Sequence, residues 1–110
     1  MLHHVVLMKF KPGVPRGRIG ELERMLDDLP NRIIQIQTYE FGCDVLRSER
    51  SWDFALISGF ASLAAMQIYQ KHPDHQAVVA RLREICVEIA CVDFESKPLP
   101  IIERDPAPGL

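Results

Sequence analysis

The chain has 110 residues, of which 47% are apolar and 25% charged, and its formal net charge is -2. That length suits one hydrophobic core, the composition excludes a disordered chain, and the mixed, nearly balanced charge gives no footprint for nucleic acid or an anionic membrane. No run reaches the ~18 apolar residues of a membrane span, no secretory signal is visible, and Cys43, Cys86 and Cys91 form no CxxC pair, so a reducing, cytoplasmic setting without a disulfide frame or zinc site is expected.

Residues 3–10, HHVVLMKF, are β-branched and apolar and predict a first strand. Its two faces are Leu2, His4, Val6, Met8, Phe10 and His3, Val5, Leu7, Lys9. Both are largely apolar, so this strand is expected to be covered on both sides. The KPGVP turn leads to Pro15, suited to the first position of a helix. Ile19, Leu22, Leu26 and Leu29 form that helix's apolar stripe, Gly17 and Gly20 weaken its start, and Pro30 is expected to end it.

Residues 33–41, IIQIQTYEF, alternate and predict a second strand with Ile34, Ile36 and Thr38 on one face. The polar CDVLRSERS joins it to a third strand, WDFALISGF at 52–60, as a long hairpin. Ser62 is a helix N-cap for SLAAMQIYQ, and Pro73 forces His72 out of helical geometry. Helix resumes at Pro73–Asp74 and carries His75, Val78, Val79, Leu82, Cys86 and Ile89 on one face, before IACVDFE returns to strand. The segment from Ser96 on, rich in proline, predicts a surface arm or frayed end.

The order β-α-β-β-α-β is that of an α+β, ferredoxin-like subunit, an antiparallel sheet with helices on one face. The other sheet face is bare in such a subunit, yet the first strand is apolar on both sides. Two sheets joined back to back would bury it, which points to a homodimer.

The periodicities turn three polar side chains inward. His75 shares the stripe of Val78 and Leu82, Tyr69 lies one turn beyond Ala65, and His4 is in phase with Val6 and Met8. If the His4 face turns to the helices, all three border one space, whose polar groups need partners. An inward histidine is more often a hydrogen-bonded core residue than a catalyst. His72-Pro73 by itself is a helix break, and His72, Asp74 and His75 lack the spacing of a metal site.

HHVVLMKFKP, the element order, and YQKHPDH followed by a helix and VDFE together resemble the stress-responsive A/B barrel (Dabb) family over residues 3–96. The resemblance implies a domain over residues 1–96, with 97–110 as a Pro-rich tail, in a dimeric α/β barrel without cofactor or metal. The family includes the plant polyketide cyclase that makes olivetolic acid, whose tyrosine, second histidine of the H-P-x-H element and first-strand histidine correspond to Tyr69, His75 and His4. Carried over, His75 is a general base, Tyr69 a hydrogen-bond donor to a carbonyl, and His4 an orienting group. Three readings stay open: a dimeric barrel with a helix–sheet pocket for a small apolar ligand, a cofactor-independent cyclase or lyase of a polyketide-like carbonyl compound, and a cofactor-free monooxygenase. A cavity touching Tyr69 and His75 would favour ligand or substrate; a filled core would favour a structural role.

Overall fold

The computed structural model describes residues 1–97; the Pro-rich tail expected at 97–110 lies, after Lys97, outside them. The elements are β1 (Leu2–Phe10), α1 (Arg16–Arg32), β2 (Thr38–Cys43), β3 (Phe54–Phe60), α2 (Leu63–Lys71), α3 (Pro73–Ile85) and β4 (Cys86–Glu95). All strand pairs are antiparallel, in the spatial order β2-β3-β1-β4, which is the expected ferredoxin-like α+β arrangement. None of the described helices is long and apolar enough to cross a membrane.

One sheet face carries Leu2, Val6 and Met8 of β1 with Phe54, Leu56 and Phe60 of β3. These pack with Leu22, Leu26 and Leu29 of α1, Met66 and Tyr69 of α2, and Val78 and Leu82 of α3 into a single core. Arg81–Glu21 at 2.8 Å and Arg18–Glu84 at 2.6 Å tie α1 to α3 at the surface. The long β2–β3 connection is fastened by Asp53, whose carboxylate accepts from the Phe10 amide and from Arg47, both at 2.8 Å. Those donors, the Phe10 amide first, hold the Asp53 carboxyl below its ordinary range.

The opposite face is bare in the protomer. The pairings Val5↔Val92, Val5↔Ile57, Leu7↔Ala90 and Leu7↔Ala55 lay apolar side chains side by side there, next to Phe94. Val92 is 63% exposed and Phe94 46%, more contiguous apolar surface than scattered surface residues would give. Gly59, paired with Thr38 and His3, closes one end: a Cβ there would stand 2.2 Å from Thr38 Oγ1.

Five local expectations need correction. Pro30 does not end α1: its ring removes only the bond to the Leu26 carbonyl, and the helix runs to Arg32, closed by the Ile33 amide on the Leu29 carbonyl at 2.9 Å. Buried Leu29 and Ile33 hold that last turn to the core, so Ile33 is a helix end and not the start of a strand. β2 consequently begins at Thr38, with Ile34 left outside it and exposed. Pro15 is the N-cap of α1 and not its first helical residue, and Trp52 precedes β3. Finally, α3 stops at Ile85, and Cys86 and Ile89 belong to β4, because strand pairing with β1 from Phe10↔Cys86 overrides the helical stripe.

Candidate active site

The segment YQKHPDH forms one hydrogen-bonded unit. Pro73 has no N–H for the carbonyl of Tyr69, which instead accepts from the His72 amide at 3.1 Å. His72 leaves helical geometry (φ -64°, ψ 135°) and caps α3, its Nδ1 accepting from the Asp74 amide at 3.1 Å. That amide is the one a continuous helix would have aimed at Gln70. The Gln70 carbonyl is therefore open to side chains, and it accepts from Gln76 Nε2 at 2.5 Å and from His75 Nδ1 at 3.1 Å. A carbonyl only accepts, so His75 carries its proton on Nδ1 and presents a lone pair at Nε2.

His75 lies against Tyr69, ring centroids 4.3 Å apart, and Tyr69 lies 4.9 Å from Phe60 and edge-on to His4 at 6.4 Å. The three residues expected to share one space between helix and sheet do share it. Tyr69 is fully buried and His4 is 7% exposed.

Strand register adds residues that periodicity could not. His4 stands opposite Ser58 on β3 and Asp93 on β4, and Ser58 stands opposite Tyr39 on β2. Tyr39, Ser58, His4 and Asp93 thus make one polar row across the helix-facing side of the sheet, beneath Tyr69. Its two halves differ. His4 Nδ1 is hydrogen-bonded to the Asp93 carboxylate. The buried hydroxyl of Ser58 has no hydrogen-bond partner among the described residues, and those of Tyr39 and Tyr69, also buried, face each other and have no other partner among them. An unpaired buried hydroxyl costs about 1–3 kcal/mol, so Ser58 is an expensive way to fill a core.

Burial sets the protonation states. It pushes His75 below the ordinary imidazole value, helped by nearby His4 and His72 and opposed by the Gln70 carbonyl, which favours the charged ring. It pushes Tyr69 up to about 12, and it raises Tyr39 further, with Tyr69 close by adding to the effect. At neutral pH the site therefore offers a neutral imidazole as proton acceptor and two phenols as donors. A broad open groove of about 790 Å³ runs along Val5, Glu40, Gly42, Ala55 and Ile57, and neither it nor the smaller clefts among the described residues is lined by Tyr69 or His75, so the expected cavity at that pair is not seen and the packing there is that of a filled core.

Tyr39, Ser58 and Asp93 were not among the expected site residues. Asp93 interrupts an otherwise apolar alternation in ACVDFE, and that was the available signal. Ser58 and Tyr39 carry none, since both fit an ordinary strand.

Residues 2–96 match the stress responsive A/B barrel domain, Dabb. The chain is 30% identical over 97 residues to an uncharacterized protein of Streptomyces coelicolor, covering 86% of this chain and 99% of that one. Among solved structures, a dimeric protein of unknown function and ferredoxin-like fold from Bacteroides fragilis is 31% identical, with a TM-score of 0.79 over 86% of this chain and 95% of its own. A dimeric ferredoxin-like protein of unknown function from Thermobifida fusca is 26% identical, with a TM-score of 0.78 over 84% of this chain and 88% of its own. With the match spanning the described β-α-β-β-α-β core, the chain belongs to the stress responsive A/B barrel family.

Proposed function

We propose that the protein is a cofactor-independent acid–base catalyst, a cyclase or lyase acting on a small carbonyl compound bound between helix and sheet. The observation that carries this reading is the juxtaposition of a neutral His75, its Nε2 lone pair left over, with the protonated hydroxyl of buried Tyr69. His75 Nε2 takes a proton from the carbon next to a carbonyl, and Tyr69 Oη donates to the carbonyl oxygen as it becomes an enolate. In the aldol direction the enolate carbon then adds to a second carbonyl, whose oxygen takes up the proton; in the lyase direction His75 Nε2 instead takes the proton of a β-hydroxyl, the carbon–carbon bond breaks to give a carbonyl and the enolate, and the enolate carbon is reprotonated. His4, held by Asp93, orients the substrate from the sheet side. Tyr69 and His75 correspond in this reading to the tyrosine and second histidine of the plant olivetolic acid cyclase.

The working unit in this reading is a homodimer with the bare sheet faces packed together. It is supported by the apolar strip of Val5, Leu7, Val92 and Phe94 and by the dimeric relatives from Bacteroides fragilis and Thermobifida fusca.

The test is turnover of a series of linear poly-β-keto thioesters, followed as cyclised or cleaved product by mass spectrometry. Wild type is expected to convert at least one, and His75→Ala to lose about 10²–10⁴-fold of that rate while remaining folded. Equal turnover by His75→Ala removes the base from the mechanism. Saturable binding without turnover by wild type replaces catalysis with ligand carriage.

A further inference from the structure

Resting on the homodimer reading above, we propose that the bare sheet face receives a second copy in one orientation only, about a twofold axis that runs along the strands between β1 and β3. The strand order β2-β3-β1-β4 puts that axis at the middle of the sheet. It sets β1 of one copy over β3 of the other, and β4 over β2.

The two halves of the face differ in size. The β1–β4 half carries Leu7, Val92 and Phe94, all exposed. The β2–β3 half carries Gly42, Ala55 and Gly59, and the open groove of about 790 Å³ lies along Gly42, Ala55 and Ile57. His3 pairs with Gly59 and Leu7 with Ala55 across the two central strands. The axis therefore sets Leu7 on Ala55 of the second copy and His3 on its Gly59. Ala90, in the row of Leu7, comes down on Gly42, with Val92 and Phe94 following along β2. Glu40 lies on an edge strand and is exposed, so its carboxylate stays in water at the rim. A twofold across the strands would instead lay Leu7 on Val5 and leave groove facing groove, which buries less apolar surface.

Gly42 supplies an independent reason. A Cβ there would meet nothing within 4 Å among the described residues, and its φ lies outside the left-handed region. Neither packing nor backbone geometry in the protomer calls for glycine, which weakens a strand interior. Such a glycine marks a point where another backbone comes close, and the axis brings β4 of the second copy there. Gly59 differs, because its own chain already leaves no room for a side chain.

The experiment is native mass spectrometry of the full chain, with Leu7→Ala and Ala55→Leu purified separately and then mixed. Each variant alone puts small on small or large on large, and should self-associate at least about tenfold more weakly than wild type. In the mixed pair every contact between positions 7 and 55 is again large on small. The heterodimer should therefore exceed the half share that random pairing gives. Gly42→Val should weaken self-association at least about tenfold while its circular dichroism spectrum keeps the wild-type shape. A dimeric wild type whose variants mix at random, or a Gly42→Val that associates as wild type does, overturns the orientation and leaves the homodimer standing. A monomeric wild type removes the homodimer reading itself.

Discussion

His75 donates its Nδ1–H to the main-chain carbonyl of Gln70 at 3.1 Å, and this bond exists because Pro73 has broken the helix between them. The break frees a carbonyl, the carbonyl fixes a tautomer, and the tautomer leaves Nε2 unprotonated beside Tyr69. Backbone chemistry within seven residues thereby sets the protonation pattern of the site.

Because burial lowers its folded-state pKa, His75 is neutral in the folded protein at pH values where the unfolded chain has already protonated it. Between the folded and unfolded values the unfolded state binds more protons, so stability rises with pH there and is lost as pH falls below about 6.5. Urea midpoints measured at pH 7.5 and 5.5 should show a drop for wild type that is smaller in His75→Gln. The acidic limb of any His75-dependent rate should also lie below the ordinary imidazole range.

His72→Ala removes the acceptor for the Asp74 amide and should cost about 1 kcal/mol, the usual worth of a helix N-cap. The freed amide can then compete for the Gln70 carbonyl, so the tautomer of His75 should become mixed. Chemical denaturation reads the first effect. The nitrogen shifts of the His75 ring in an NMR spectrum read the second, and an unchanged Nδ1–H form would contradict the coupling.

Tyr69→Phe deletes a buried hydroxyl whose close neighbour is the Tyr39 hydroxyl, so stability should change by no more than about 1 kcal/mol. If Tyr69 donates to the developing oxyanion, turnover should nevertheless fall by about 10²–10³-fold. A variant both unstable and inactive would mark Tyr69 as a structural residue, and one both stable and active would release it from the mechanism.

Leu7→Glu places a charge in the middle of the bare sheet face, opposite Ala55 and Ala90. Burying that carboxylate against a second apolar face carries a desolvation cost that dimerisation would have to offset. Sedimentation at micromolar concentration should give a dimer for wild type and a monomer for Leu7→Glu. A monomeric wild type would remove the proposed assembly.

Much of this arrangement was legible locally. The Leu22, Leu26, Leu29 stripe, the Ser62 cap, the bend at His72-Pro73 and the inward phase of His4, Tyr69 and His75 all follow from periods of 3.6 and 2 and from the stereochemistry of proline. The errors fell where long-range packing outweighed such signals. Pro30 stayed inside α1 because Leu29 and Ile33 are fastened to the core, and Cys86 left its helix because β1 offered it a strand partner.

The sequence by itself determined the element order, the core face of each element and the inward turn of the His-Tyr-His set, since these depend on neighbours a few residues apart. Only the tertiary structure decided that Asp93 meets His4 from 89 positions away and that Ser58 and Tyr39 complete the row beside it. Those contacts are set by strand register. Register is fixed by how the whole sheet buries one face against three helices, a quantity that no local period contains.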